Sequence, residues 1–73
     1  MQINMNELGV RCKEVRLKKK LRIADVAAAT GYTIANISAF ENGKIKSLPL
    51  FLYYRQLGLE ISLKEVLINV EKN

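Results

Sequence analysis

The side chains that could do chemistry in this chain are mainly cationic. Among its 73 residues, 12 Lys and Arg accompany 7 Asp and Glu, histidine is absent, and Cys12 is the one cysteine. A chain without histidine has no imidazole base and no Cys/His zinc site, and a lone cysteine cannot form an internal disulfide. Cys12, expected on the buried face of the first helix, lacks any histidine to activate it. We therefore predict that the chain is not an enzyme and needs no cofactor or metal.

The cationic residues are unevenly distributed along the chain. Residues 1–50 contain nine Lys/Arg and four Asp/Glu, whereas residues 51–73 contain three of each. The net charge of +5 therefore lies in the first two thirds of the chain, which favours a polyanionic partner for that part. Charge alone is weak evidence, since many solvated helices are rich in lysine.

Length and hydropathy limit the remaining possibilities. The length predicts one small domain, residues 1–73, near the size at which a single core is barely able to hold a fold together. No apolar run approaches the ~18 residues needed to cross a bilayer. The first residues, MQINMNELG, also lack the basic-then-apolar pattern of a signal peptide. We expect a cytoplasmic protein without membrane association.

Apolar residues recur at helical rather than strand spacing. The segment NMNELGVRCKEVRLKKK predicts a helix from about residue 5 to about residue 19, with Asn4 and Glu7 in a capping arrangement. Pro49 suits the start of a later helix within LPLFLYYRQLGL. The sequence SLKE at 62–65 is typical of a capping box that opens a last helix.

Two short helices between these segments are separated by a glycine turn. The first is alanine-rich and ends at Gly31, and the second begins after Thr33, whose hydroxyl can accept a free backbone N–H. Gly31 suits the positive φ that ends a helix, Ala27 allows the next helix to approach, and Ile37 points back into the core. Together these offsets specify a helix-turn-helix, although a helix-ending glycine alone is common. The predicted fold is all-α, a compact bundle of about five short helices with a helix-turn-helix.

Several motifs in this order resemble one family. The motifs are LGVRCKEVR in the first helix, Leu21 before the second, VAAATG at 26–31, ISAFENGK at 37–44 and LGL at 57–59. Over roughly Leu8 to Leu59 the chain resembles the Cro/phage-repressor (XRE-type) helix-turn-helix domains. The resemblance implies a lambda-repressor-like bundle whose helix after the turn enters the DNA major groove. It also implies a compact regulator of the kind found in phages, plasmids and other mobile elements.

The resemblance assigns roles to individual residues. It implies a structural pair between Arg16, late in the first helix, and Glu41, late in the helix after the turn. In the helix after the turn, Ile37 and Phe40 are expected to face the core. The residues expected to face DNA bases are Thr33, Ile34, Ala35, Asn36 and Ala39.

The chain departs from the family pattern at these outward positions. Family members often carry Gln, Arg or Ser there, and many have Gln where this chain has Ile23. Only Asn36 and Thr33 offer hydrogen bonds to base edges, and Asn is the natural partner of adenine. The other three side chains can only pack against thymine methyl groups. The helix therefore either reads A·T-rich DNA by methyl contacts or reads rather little.

Cationic residues on both sides of the turn could contact phosphates. The expected set is Lys18, Lys19, Lys20 and Arg22 before the second helix and Lys44 and Lys46 after the third, with Asn42 added by the family resemblance. Such contacts fix orientation and make binding salt-dependent without reading sequence. For the lysine run, a frayed and solvated helix end, where cations suit the helix dipole, is the alternative.

The back third of the chain predicts a dimer. The segment LPLFLYYRQLGL contains one charge, Arg55, and its apolar residues cover more than one helix face. We expect a second copy to cover part of this surface, with residues 60–73 contributing a C-terminal helix to dimerisation. Packing into the core alone is the alternative, and the sequence does not indicate which apolar face of the fourth helix forms the interface. The expected interface residues are Phe51, Leu52, Tyr53, Tyr54, Leu63 and Leu67.

These features favour two functions of different classes. The first is a sequence-specific transcriptional repressor that binds a palindromic operator in double-stranded DNA as a homodimer and excludes polymerase. The second is a helix-turn-helix module that binds a protein, as an antirepressor or antitoxin-like regulator does, and has lost most base readout. The apolar residues at 34, 35 and 39 favour a protein partner, whereas the cationic residues beside the turn favour DNA.

Overall fold

The computed structural model describes residues 3–62 and residue 64, and within that part the chain forms four helices and no strand. The helices are α1 (Met5–Lys18), α2 (Ile23–Thr30), α3 (Ile34–Glu41) and α4 (Leu48–Leu57). The predicted all-α class is therefore confirmed. The fifth helix, expected to open at SLKE and to carry Leu63 and Leu67, lies outside the described residues apart from positions 62 and 64.

Side-chain caps define where the helices begin. Asn4 Oδ1 accepts the backbone N–H of Glu7 at 2.7 Å, and Thr33 Oγ1 accepts that of Asn36 at 3.0 Å. Each bond satisfies one of the N–H groups that a helix start leaves without a partner. These two predicted caps are confirmed, and Ser47 caps α4 in the same way through the N–H of Leu50, at 3.2 Å.

The turn between α2 and α3 is short because Gly31 ends α2 in the left-handed conformation. Its φ is 80°, and its N–H donates to the carbonyl of Ala27 at 2.9 Å. A side chain at such a φ is strained even though nothing would crowd a Cβ there. Only residues 31–33 separate the two helices, so α2 and α3 pack directly against each other.

All four helices contribute to one core. Its fully buried members come from each helix in turn: Leu8, Cys12, Val26, Ile37, Phe40, Leu50, Phe51 and Tyr54. The expected inward direction of Ile37 and Phe40 is confirmed. Ile3, Leu59 and Ile61, from the segments before α1 and after α4, complete the same cluster.

Gly9 of α1 lies against the backbone at the C-terminal end of α3. A Cβ built on Gly9 would lie 2.7 Å from the carbonyl carbon of Glu41 and 2.9 Å from the carbonyl oxygen of Phe40. Real side chains essentially never make such contacts with backbone atoms. Gly9 therefore sets how near the end of α3 can lie to α1.

Two residues expected at a dimer interface lie in the core instead. Phe51 and Tyr54 are fully buried within the single chain, and the Tyr54 ring stacks on Phe40 with centroids 5.9 Å apart. A second copy cannot reach side chains that the chain itself covers. Leu52, which is 40 % exposed, and the half-buried Tyr53 keep accessible surface on α4.

Candidate nucleic-acid interface

The first turn of α3 projects from the surface of the molecule. Four consecutive residues, Thr33 to Asn36, are exposed, while Ala39 one turn later is half-buried. Successive residues of an α-helix rotate by about 100°, so Ala35 lies opposite the buried Ile37 and Phe40. The helix therefore has one face in the core and one face directed outward.

The outward face carries two polar side chains that differ in availability. The hydroxyl oxygen of Thr33 already accepts the capping N–H of Asn36. The side-chain amide of Asn36 makes no hydrogen bond within the described part of the chain, so its donor and its acceptor are both available to a ligand. A primary amide with both groups available can form the paired hydrogen bonds that recognise adenine in the major groove.

Ile34 is the most solvent-accessible large apolar residue of the described region. Its relative exposure is 57 %, although it sits beside a well-packed core. The neighbouring Ala35 adds a small apolar surface on the same outward side. Together they form an apolar patch, Ile34 and Ala35, next to the amide of Asn36.

The loop after α3 runs back along the flank of that helix. At one end of the loop the N–H of Lys44 donates to the carbonyl of Ala39 at 2.9 Å. At the other end the hydroxyl of Ser47 donates to the Tyr32 hydroxyl at 3.3 Å, beside the start of α3. The loop therefore spans the length of α3 from its end to its beginning.

Side-chain alternation in this loop directs cations outward. Ile45 packs against the core, whereas Lys44 and Lys46 on either side of it are exposed. An α-helix with its side chains is about 10–12 Å across, which is close to the ~12 Å width of the DNA major groove. The two lysines thus flank α3 where phosphates would border an inserted helix.

A buried polar network holds the inner face of α3. The Arg16 guanidinium forms two parallel bonds to the Glu41 carboxylate, Nε to Oε2 at 2.8 Å and Nη2 to Oε1 at 3.0 Å. The Tyr54 hydroxyl also donates to Glu41 Oε2. Arg16 and Glu41 are only 5 % and 4 % exposed, so the predicted structural pair is present and is buried.

The same arginine joins the segment before α2 to the end of α3. Arg16 Nη1 donates to the carbonyl of Leu21 at 2.9 Å while its other nitrogens hold Glu41. The segment that carries Lys19, Lys20 and Arg22 is therefore fixed beside the C-terminal end of α3. Lys18, Lys19 and Lys20 are all exposed, as expected for phosphate contacts and equally for a solvated helix end.

Two of the expected phosphate contacts are partly occupied within the chain. The Arg22 guanidinium bonds Asp25 at 3.1 Å; this pairing raises the pKa of Arg22 and lowers the pKa of Asp25. The amide nitrogen of Asn42 donates to the carbonyl of Ser38 at 2.8 Å. Lys44 and Lys46 have no such side-chain partner in the described residues, and the same is true of Lys18, Lys19 and Lys20.

The protonation of the buried groups argues against nucleophilic chemistry. Burial, reinforced by the nearby charge of Glu41, raises the pKa of the Cys12 thiol to about 12. Burial, followed by the hydrogen bond to Glu41, also raises the pKa of Tyr54. Both groups are neutral at physiological pH, and a thiol that stays protonated is a poor nucleophile.

Among residues 3–62 and 64, no three His, Cys, Asp or Glu side chains are grouped so that they could hold a metal ion. No helix in this same part has the length and apolar character needed to cross a bilayer.

Comparison with protein-family models, with curated proteins and with solved structures finds no match to this chain. The family resemblance of its motifs therefore stays a prediction.

Three residues of this region have roles that are not among the predictions made from the sequence. Gly9 permits the contact of α1 with α3, Tyr54 completes the buried network, and Tyr32 anchors the loop after α3. Gly9 stands beside an apolar helical stripe, where glycine is unfavourable unless something packs closely, and this was a usable signal. The partners of the two tyrosines are 13 and 15 residues away and leave no local pattern.

Proposed function

We propose that this chain is a sequence-specific DNA-binding regulator in which α2, the glycine turn and α3 act as a helix-turn-helix. The observation that carries the proposal is the exposed first turn of α3, with the unpaired amide of Asn36, flanked by the exposed Lys44 and Lys46. An α-helix of this size fits the major groove. In this account Asn36 recognises adenine, and the lysines contact phosphates on the border of the groove.

The fixed relation of the cationic segments to α3 supports this proposal. Arg16 bonds both the carbonyl of Leu21, in the segment before α2, and the carboxylate of Glu41, at the end of α3. The loop after α3 is held by the hydrogen bond from Ser47 to Tyr32. These bonds fix both cationic segments relative to the outward face of α3. A rigid arrangement loses little conformational entropy on binding. Phosphate contacts made from such loops would hold α3 in one register along the groove.

The proposal includes a homodimer that represses by occupying a promoter. Leu48 and Leu52, each 40 % exposed, are four residues apart on α4 and therefore share one helix face. Two-fold symmetry through this face would present two copies of α3 to half-sites ~10–10.5 base pairs apart. Leu52→Asp should shift the protein to monomer in sedimentation equilibrium, while Val10→Asp, at an exposed apolar position of α1, serves as the control. A wild-type protein that is monomeric at micromolar concentration would contradict the dimer.

The DNA proposal is tested by fluorescence titration of labelled duplexes. The duplexes are a random-sequence pool and the fraction enriched from it by the wild-type protein, each measured at two salt concentrations. Selective binding with a steep salt dependence is expected, because each phosphate contact releases counterions.

The lysine assignment is tested in the same titration. Lys44→Ala combined with Lys46→Ala should weaken binding to both pools alike and reduce the slope of log K against log salt by about 2. Lys13→Ala, at an exposed position of α1, is the matched control and should change the slope less. A loss confined to the enriched duplex would show that these lysines read sequence instead of contacting phosphate.

A protein-binding module is the second candidate, and the exposure of Ile34 favours it. If neither DNA pool binds at low salt, this candidate replaces the DNA proposal.

A further inference from the structure

On the basis of the proposed function, we infer that the apolar patch of Ile34 and Ala35 recognises the C5-methyl group of thymine, so that the protein distinguishes thymine from uracil in its binding site. The inference concerns which chemical group the outward face selects. The proposed function itself has α3 enter the groove with Asn36 at an adenine, and it does not depend on a methyl contact.

The chemistry of the outward face leaves one type of target in the major groove. Neither Ile34 nor Ala35 can donate or accept a hydrogen bond, and both are exposed where α3 would meet base edges. Nearly every group that base pairs present there is a donor or an acceptor, and the thymine methyl is the exception. A donor or acceptor facing Ile34 would lose its water without gaining a partner, which disfavours G·C pairs at that position.

The arrangement around the helix directs the methyl contact and the hydrogen bonds to different base pairs. With about 100° between successive residues, Ala35 lies at the centre of the outward face, with Ile34 at one edge and Asn36 at the other. The small side chain of Ala35 lets the helix approach the bases closely. Ile34 and Asn36 then reach different base pairs, one by methyl contact and one by hydrogen bonds to adenine.

Charge favours DNA over a protein as the occupant of this face. The loop beside α3 presents Lys44 and Lys46 to solvent on both sides of the inward-facing Ile45. Two described acidic side chains already have partners within the chain. Glu41 accepts bonds from Arg16 and Tyr54, and Asp25 pairs with Arg22. An apolar patch bordered by available cations is complementary to thymine methyls bordered by phosphates.

The test replaces thymine by deoxyuridine in the duplex enriched from the random pool. This change removes the methyl group and leaves the hydrogen-bonding edge intact. Because burying one methyl-sized group changes affinity by about fourfold, the deoxyuridine duplex should bind the wild-type protein about fourfold more weakly for each contacted methyl. The dissociation constants are measured by fluorescence titration at one fixed salt concentration.

Variants at position 34 separate a methyl contact from a change in DNA shape. Ile34→Ser should lose most of the preference for the thymine duplex over the deoxyuridine duplex, whereas Ile34→Val should keep most of it. Both variants are checked by thermal melting, and the exposure of Ile34 predicts that they fold. Ala35→Ser provides a second variant, which should reduce the preference without removing the side-chain volume of Ile34.

The outcomes distinguish this inference from the proposed function. Selective binding of the enriched duplex with equal affinity for its deoxyuridine form would overturn the inference and leave DNA binding in place. A preference for thymine that persists unchanged in Ile34→Ser and in Ala35→Ser would also overturn it. Failure to bind any duplex would overturn the proposed function and the inference together.

Discussion

The two faces of α3 differ in how completely their polar groups are used. On the inner face, the carboxylate of Glu41 accepts bonds from Arg16 and from Tyr54, and no buried side-chain nitrogen or oxygen of the described residues lacks a partner. On the outer face, the amide of Asn36 is unpaired and Ile34 is 57 % exposed. A helix so firmly held on one side and so open on the other is suited to present a surface to a partner without moving.

The difference gives each face its own expected response to substitution. Changes on the inner face should lower the free energy of unfolding and alter binding only through the loss of the fold. Changes on the outer face should alter binding and leave the melting temperature in place.

Breaking the buried ion pair should have the largest effect on the inner face. Arg16→Ala leaves the carboxylate of Glu41 buried without its cation, which should lower the free energy of unfolding by about 3–5 kcal/mol. That is a large share of the roughly 5–15 kcal/mol that stabilises a typical domain. Chemical denaturation followed by circular dichroism measures the change.

A double variant and a surface variant serve as controls for this prediction. Replacing both partners, as in Arg16→Met with Glu41→Leu, should destabilise less than Arg16→Ala alone, since no unpaired charge remains. Glu14→Ala, at an exposed position of α1, should change the unfolding free energy by less than ~0.5 kcal/mol. An unchanged denaturation midpoint for Arg16→Ala would show that the pair does not hold α3.

Separating α1 from α3 should have the next largest effect. Gly9→Ala places a Cβ against the backbone of Phe40 and Glu41, so the two helices must move apart. We expect a loss of about 1–3 kcal/mol, as for other overpacked sites, even though alanine is the better helix former. The neighbouring Val10→Ala, at an exposed position, is the matched control. A more stable Gly9→Ala protein would mean that helix propensity outweighs the close contact.

High pH should lower the free energy of unfolding through two buried core groups, Cys12 and Tyr54. Burial raises the pKa of Cys12 from 9.0 to about 12, and the pKa of Tyr54 is raised as well, so the folded state favours their neutral forms. This contribution is complete below about pH 9, where both groups are neutral in the unfolded chain too. It is lost as the pH rises toward 12, by about 1 kcal/mol between pH 9 and pH 10 for Cys12.

The alkaline loss can be assigned by substitution. Cys12→Ala combined with Tyr54→Phe should reduce the fall in unfolding free energy between pH 8 and pH 10.5, although the variant is less stable at pH 8. Tyr53→Phe, on the half-buried side of α4, is the control for loss of a tyrosine hydroxyl. An equal fall in all three proteins would assign the alkaline transition to other groups.

Local signals account for what could be predicted from the sequence. Asn4 and Thr33 cap the starts of α1 and α3, and Gly31 ends α2, each through a backbone group within four residues of itself. These helix boundaries were therefore predictable from the sequence. The Arg16 and Glu41 pair spans 25 residues and was predicted only through the resemblance of the motifs to a family.

Tertiary contacts account for what could not be predicted. In α4 the apolar residues cover several faces, so their spacing does not reveal which face is buried, and Phe51 and Tyr54 were wrongly expected at a dimer interface. Two contacts determine which face of α4 is buried: Phe40 stacks on Tyr54, and Glu41 accepts a hydrogen bond from the Tyr54 hydroxyl. The direction of Lys44 and Lys46 likewise depends on Ile45, because its packing against the core turns its neighbours outward.

The affinity of Asn36→Ala for the enriched duplex, measured with its melting temperature, tests the central claim most directly. The amide of Asn36 is exposed and unpaired, so the substitution should leave the melting temperature within about 2 °C of wild type. Selectivity for the enriched duplex over the random pool should fall by about 1–3 kcal/mol, because the paired hydrogen bonds to adenine are lost. An unchanged selectivity at an unchanged melting temperature would contradict the claim that the outward face of α3 reads DNA through Asn36.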